Sequence, residues 1–355
     1  MRCHTRPLEA IQRPLLPIPG LSAERTTGRL SMQREAKHRL SIVVVTWNNA
    51  RIIRDCLKSI QPIWNRPDVE IIVVDNASSD GTTDVVESEF PAVNLIRNRE
   101  NLGFAGGNNI GIKESTGKYV SLINSDVVAS QECLDELLRY MEEHPKIGVL
   151  GPKMIMPDGS VGASCMHFPT VGNWFWRALA LDVVFKHSTR FGAYLMTYFR
   201  YDRTADVEVL TGWFWLVRRE AMDEVGLLDE RFFMYGEDIE WCKRFRDAGW
   251  RVVFYPGTSA VHQCGASSSR APTRFYIEMR KANLQYCQYH HGRLAFVGYW
   301  ITSCLHEVVR ILGYGALCLV RRSVSHEEVA VKVRRSWGCL LWLMGLGLFK
   351  RSNTA

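Results

Sequence analysis

The sequence predicts an α/β fold, with a central, mostly parallel sheet covered by helices on both faces. Two observations carry this. Apolar, β-branched runs alternate with segments of helical spacing through the first 150 residues. Short polar residues recur at the carboxyl ends of four of those runs, where open parallel sheets hold their ligands.

The elements follow in order. "LSIVVVTW" (Leu40 to Trp47) has the continuous β-branched character of a strand buried on both faces. Ile52, Ile53, Cys56, Leu57 and Ile60 then fall at helix spacing. Val69 to Val86 reads as strand, polar loop and helix, and "VNLIRN" as a third short strand. Gly103 to Ser115 is a glycine-rich turn into a helix, Lys118 to Asp126 a fourth strand, and Gln131 to His144 another helix.

After Gly151 the pattern changes. Met156 to Ser164 is a hairpin candidate around Asp158-Gly159. Residues 166–205 are aromatic and irregular, and suggest a mobile flap on the acceptor side. Strands return at Val207 to Glu220 and in "WRVVFYP", with the acidic stretch "RFFMYGEDIEWCKRF" between them. That stretch sets Glu237, Asp238 and Glu240 among aromatic residues. Unpaired carboxylates are costly to bury, so it is either the exposed start of an amphipathic helix or a site that uses the charge.

Charge sorts the chain into three parts. The total is +7 over 355 residues, but residues 1–39 carry +5 and residues 321–351 another +5, which leaves −3 for the body. A nucleic-acid-binding body is therefore not expected, and the basic ends read as extensions. Residues 1–38 form an expected disordered extension, residues 39–290 the main domain (halves 39–150 and 151–290), and residues 291–355 a C-terminal group of amphipathic or apolar helices. Leu294 to Val320 is long enough to span a bilayer, but His306, Glu307 and Arg310 interrupt it. Cys339 to Phe349 is too short to span. With Arg321, Arg322, Lys332, Arg334 and Arg335 nearby, these helices suit an anionic membrane surface or the packing of a soluble enzyme. Ten cysteines without a C-x-x-C pair argue against structural zinc or a disulfide framework and read as reduced thiols.

The strand-end polar residues are Thr46 and Asn48, Asp75 and Asn76, Asn101, and Asn124 and Asp126. Each alone is compatible with a turn or a helix cap; four in register point to one crevice. No G-x-x-x-x-G-K-[ST] is present, and "GFAGGN" does not match G-x-G-x-x-G. A nucleotide here needs another way to neutralise its diphosphate, and a divalent metal on a strand-end carboxylate is the obvious one.

"SIVVVTWNN", "IIVVDNASSDGT", "NRENLGFAGGNNIGI", "LINSDV", "TGWFWLVRRE", "RFFMYGEDIEWCKR" and "VHQCGAS" stand in one order over about residues 40 to 290. In that order and spacing the chain resembles family 2 glycosyltransferases, nearest to the bacterial rhamnosyltransferase-like branch. The resemblance implies a GT-A fold and an inverting, metal-dependent transfer of a sugar from a nucleotide-diphosphate donor. Thymidine-diphospho-rhamnose is the favoured donor, and a lipid-linked saccharide of cell-surface polysaccharide synthesis the acceptor. By matching position, Thr46, Asn48, Asp75 and Asn76 would hold base and ribose, with Asp75 accepting from a pyrimidine N3–H. Asn101, Gly103, Phe104 and Asn108 would shape the pocket.

"NSD" takes the place of the family's D-x-D, so Asn124 replaces its first acid and only Asp126 is a charged ligand. His262 matches a second ligand, and the pair would hold Mn²⁺ or Mg²⁺. Asp238 would be the general base and Glu237 its neighbour, binding acceptor hydroxyls or tuning Asp238. Glu240 stands as a supporting or solvent-facing residue. The protein is expected to be cytoplasmic, held peripherally on the inner face of the cell membrane through its C-terminal region. Two other functions are weighed. A sugar nucleotidyltransferase would carry a glycine-rich basic loop after the first strand, where this chain has "TWNNARI". A non-catalytic nucleotide-sugar-binding protein would account for the missing first acid.

Overall fold

Strand β1 (His38–Thr46) lies inside the sheet because its side chains are apolar in both directions. Leu40, Ile42 and Val44 enter one core, while Val43 enters the other. The same alternation divides Ile71 and Val73 from Ile72 and Val74 on β2 (Val69–Asp75). The computed structural model describes residues 36–263, 272–320 and 326–345. The expected disordered extension and "CGAS" lie largely outside them, and His38 already belongs to β1.

The remaining strands are β3 (Asn94–Arg97), β4 (Gly117–Asn124), β5 (Val127–Val128), β6 (Ile147–Ile155), β7 (Cys165–Met166), β8 (Ala205–Asp206), β9 (Val209–Leu210), β10 (Phe214–Arg218) and β11 (Arg251–His262). The main sheet runs β3-β2-β1-β4-β10-β6-β11-β5, with β8 also on β11, and β7 pairs with β9 in a small second sheet. β10, β5 and β8 are antiparallel to their neighbours, and the other pairs of the main sheet are parallel. The mostly parallel expectation therefore holds, with an antiparallel strand inserted at the centre. From β1 the chain steps out to β2 and β3, then returns to the other side of β1 as β4. That reversal makes a topological switch point, where a crevice opens at the strand ends.

Helices α1 (Ile53–Ile60), α2 (Thr82–Glu89) and α4 (Gln131–Glu143) supply apolar faces, and α1 and α4 fill one core. Helix α3 (Gly103–Glu114) lies on the opposite face. Its glycines are there for contact: a Cβ at Gly111 would meet Val43 at 2.3 Å, and one at Gly107 would meet Val45 at 2.7 Å. The helix thus lies close against the sheet, at the propensity cost glycine brings.

Residues 166–205 pack as part of this second core, so a loose flap is the wrong picture. They form α5 (Val171–Ala178), α6 (Leu181–Val184) and a run of turns. Trp174, Tyr194, Met196 and Tyr201 are buried there. Beyond β10 come α7 (Arg219–Val225) and α8 (Glu237–Asp247). Arg218 is buried and donates to the carbonyls of Ile147 (2.9 Å) and Met141 (2.7 Å), so the arginine pair of "WLVRRE" includes a structural clamp.

The C-terminal helices α9 (Pro272–Val320) and α10 (His326–Leu343) complete the second core through Ile277, Leu284, Tyr299, Cys339 and Leu343. Helix α9 starts before the expected boundary at 290 and leaves helical geometry only at Gly292. Among the described residues no helix is long and apolar enough to cross a membrane.

Gly103 joins the two halves of the molecule. Its φ is +75°, and a Cβ there would sit 2.2 Å from the carbonyl oxygen of Phe233. The next N–H, of Phe104, donates to that same oxygen at 3.0 Å. Gly103→Ala is therefore expected to lower unfolding free energy by about 2 kcal/mol or more, the left-handed strain adding to a backbone clash. Gly159 shares the positive φ but has open space around it, so Gly159→Ala should cost about 1 kcal/mol or less. Urea unfolding of both variants measures the difference.

Candidate active site

At the switch point, Thr46 ends β1 and Asp75 ends β2, both buried. Among the described residues the Thr46 Oγ1 and the Asp75 Oδ1 have no hydrogen-bond partner. The other Asp75 oxygen accepts from the Ser78 N–H at 2.9 Å. Asn48 holds the loop: it adopts φ 54°, its N–H donates to Ser78 Oγ (2.8 Å), and its Oδ1 accepts from the Ser79 N–H (2.7 Å). Asn76 donates to the Gly103 carbonyl (2.9 Å) and accepts from Asn98 Nδ2 (2.8 Å). Asn101 Oδ1 accepts from the Gly103 N–H at 2.9 Å.

A cavity of about 790 Å³ opens over these strand ends. Thr46, Asn76, Asn101, Gly103, Phe104, Asn124 and Asp126 all line it, together with Glu237, Asp238 and His262. Three expected residues do not line it. Asn48 and Asp75 stand among its supports, and Asn108 donates to the Phe104 carbonyl within α3 (2.9 Å). Residues that sequence reasoning passed over also line it, notably Asn49, Ser125, Thr211 and Trp213. Asn49 donates to Ser125 Oγ at 3.0 Å. Asn49 follows Asn48, the residue of the pair that the sequence reading singled out.

Asp126 and His262 meet although 136 residues separate them. The turn after β4 carries the acid and the end of β11 carries the imidazole, with Asp126 Oδ1 3.1 Å from His262 Nε2. The Trp213 ring stacks on the imidazole, centroids 5.5 Å apart. Among the described residues no cluster of three or more His, Cys, Asp or Glu side chains is placed to hold an ion. A carboxylate oxygen and an imidazole nitrogen lining the same cavity fit a divalent cation that takes its other ligands from a bound ligand and water.

Two acids of the acidic stretch, Glu237 and Glu240, are buried, and Asp238 between them is partly buried. Glu237 and Asp238 open α8, and the loop before them is held tightly. Tyr235 takes φ 64°, and a Cβ on Gly236 would meet the Cβ of Ala282 on α9 at 2.8 Å. Asp238 Oδ1 accepts from the N–H groups of Gly236 (3.1 Å) and Ile239 (2.8 Å). Burial pushes its carboxyl above the usual range, while the Ile239, Gly236 and Gly212 N–H groups hold it down. Glu237 has no such support for Oε2. Burial, and then the charge of Asp238, push it well above the carboxylate range. The helix N-terminus favours both anions. Glu240 is the supporting residue, not a solvent-facing one: it is buried and takes Arg244 Nε on both oxygens at 2.9 Å.

The family model for glycosyl transferase family 2 matches residues 41–226, ending short of this acidic pair. An N-acetylglucosaminyl-diphospho-decaprenol L-rhamnosyltransferase of Mycobacterium tuberculosis is 30% identical over 312 residues, covering 84% of this chain and 95% of that protein. The dTDP-rhamnosyl transferase RfbF of Shigella flexneri is 27% identical over 255 residues, covering 68% and 78%. In fold, the chain is similar to a mannosyltransferase from Pyrobaculum calidifontis solved with GDP-Man and Mn²⁺. The TM-score is 0.54 at 15% identity, over 89% of this chain and 88% of that one.

The raised Glu237 carboxyl makes a stability prediction. Unfolding lets this group ionise at its ordinary pKa, so the stability its protonated form contributes is full below about pH 4 and is lost as pH rises towards the folded value. Glu237→Gln removes that loss. At pH 7.5 it is expected to raise the melting temperature by about 2 °C, roughly 1 kcal/mol. The gain should shrink towards pH 4.5. A variant that melts lower than the parent at both pH values contradicts the assignment, and scanning calorimetry reads it.

Proposed function

Because the chain belongs to glycosyl transferase family 2 and is a rhamnosyltransferase-like glycosyltransferase of GT-A fold, we propose that it transfers rhamnose from a thymidine-diphospho donor to a lipid-linked saccharide, with inversion. The observation that carries the reading is the shared cavity. Most of the strand-end polar groups, the Asp126–His262 pair and the Glu237–Asp238 pair all face one space. The names of the two bacterial relatives favour rhamnose, and that of the mycobacterial one an acceptor on a diphospho-polyprenol.

The base and ribose lie over the ends of β1 and β2. There Thr46 Oγ1 lines the cavity without a partner, and the unpartnered Asp75 Oδ1 lies just behind the lining, where a pyrimidine N3–H reaches it only if the strand ends part slightly on binding. Asn76 and Asn101 fix the Gly103 turn, which sets Phe104 against the pocket. Asp126 and His262 would hold a divalent cation, whose charge would offset that on the departing nucleoside diphosphate.

Asp238 takes the proton of the acceptor hydroxyl as that oxygen attacks the anomeric carbon. A single displacement inverts the configuration. Its raised pKa brings it nearer the working pH, which suits a general base. Glu237, pushed further up by its neighbour, keeps its proton longer and donates to an acceptor hydroxyl. The surrounding Trp213, Tyr235 and Phe104 exclude water and limit hydrolysis of the donor.

The lipid acceptor places the enzyme at the cytoplasmic face of a membrane. Leu294, Val297, Ile301, Val308 and Leu312 are exposed at three-, four- and seven-residue steps on α9, with Leu294 91% exposed. Such a stripe suits an interfacial helix.

Nucleoside diphosphate release from dTDP-, UDP- and GDP-sugars, with membrane lipid as acceptor and Mn²⁺ or EDTA, tests the reading. dTDP-rhamnose with metal is the expected combination. Asp238→Asn should lower transfer by about 10²- to 10⁴-fold while nucleotide binding stays within about twofold. Full transfer by that variant removes Asp238 as base, and donor binding without any release favours a binding protein.

A further inference from the structure

The same cavity has a second, oppositely charged end. Helices α5, α9 and α10 bring Arg177, Arg280, Arg310 and Arg335 to its wall. Two carboxylates answer these four guanidinium groups. Asp182 pairs with Arg177, and Glu307 Oε1 lies 2.8 Å from Arg280 Nη2. Arg310 donates to the Tyr314 hydroxyl at 3.0 Å, and Arg335 lies over the Tyr276 ring at 4.5 Å. Among the described residues neither has a carboxylate partner, so the cluster carries an excess of two positive charges.

Four of its donor nitrogens are also unsatisfied. Arg280 is fully buried, and its Nε and Nη1 have no partner among the described residues. The same holds for Arg177 Nε and Arg335 Nε. Buried guanidinium N–H groups are expensive to leave unmade. The cluster is nevertheless held rigidly, with Arg280 stacked over Trp174 at 4.3 Å. His306 lines the same end, and burial together with Arg280, Arg310 and Arg177 keeps it neutral.

We propose that these arginines form the subsite for the diphosphate of a polyprenyl-diphosphate-linked acceptor; this rests on the transferase reading and names its acceptor class. Arginines on three helices are more than one phosphoryl group can engage in paired, fork-like contacts, and two linked phosphoryl groups match their number and excess charge. The subsite stands on the acceptor side of the catalytic pair. Tyr194, buried between them, accepts from Asn283 Nδ2 of α9 (3.3 Å) and feels the charges of Arg177, Arg280 and Asp238. A diphosphate held there leaves the first sugar towards Asp238, while the prenyl tail follows α9 along its exposed apolar stripe.

Binding of farnesyl diphosphate in EDTA, read by calorimetry, tests this without any donor. Arg310→Gln and Arg335→Gln are the variants, since both residues are only partly buried. Each is expected to weaken binding at least tenfold. Arg200→Gln, which removes the same charge from a site 85% exposed, should change it less than twofold. Farnesyl monophosphate should bind at least tenfold more weakly than the diphosphate, and saturating dTDP should not compete. Displacement by dTDP, wild-type affinity in both cavity variants, or equal competition by phosphatidylglycerol vesicles overturns the proposal. A protein that transfers no sugar yet binds the diphosphate through these arginines would refute the transferase reading and leave the subsite standing.

Discussion

The rest of the site depends on the contact between Gly103 and Phe233. It is one backbone hydrogen bond, Phe104 N–H to Phe233 O at 3.0 Å, across a gap too narrow for any side chain at position 103. On one side stands α3, seated by its glycines on β1. On the other is the loop whose positive-φ residues Tyr235 and Gly236 deliver Glu237 and Asp238 to the cavity. The same loop meets α9 where Gly236 faces Ala282. Strand ends, catalytic pair and C-terminal helices are therefore registered through a few backbone atoms, which deform less readily than side chains.

Electrostatics divides the cavity that results. Buried carboxylates at the start of α8 raise their own pKa, and four arginines on α5, α9 and α10 keep unmatched positive charge. Either arrangement alone would be a cost to folding. Set in one cavity, they divide a bound acceptor into an anionic part and a hydroxyl part, so stability is given up for orientation.

Much of the fold was legible in the sequence because period-two and 3.6-residue patterns dominate the first 150 residues. β1, β2, β4, α1 and α4 sit where those patterns put them. The antiparallel insertion of β10 was not legible, since an apolar run such as "FWLV" carries no direction. Gly103 to Ser115 was read as a glycine-rich turn into a helix, and α3 fills nearly the whole of it, its glycines set by contact with Val43 and Val45. Asp126, Glu237, Asp238 and His262 were singled out through the family resemblance, and all four line the one cavity. Asn108 was misleading, because an asparagine bonding within its own helix leaves the same trace as one facing a ligand. The arginine cluster escaped notice because Arg310 was read as an interruption of an apolar run and Arg335 as part of a membrane-facing basic group, while nothing in the sequence pattern singles out Arg280. Only packing against α5 shows them facing inward.

The most direct test of the account is a crystal structure with a nucleoside diphosphate and an unreactive lipid-linked acceptor bound together. The account places one Asp238 carboxylate oxygen within about 3.2 Å of an acceptor hydroxyl, in line with the vacated anomeric position. An acceptor hydroxyl resting on another group, with Asp238 turned to its own backbone donors alone, would contradict it.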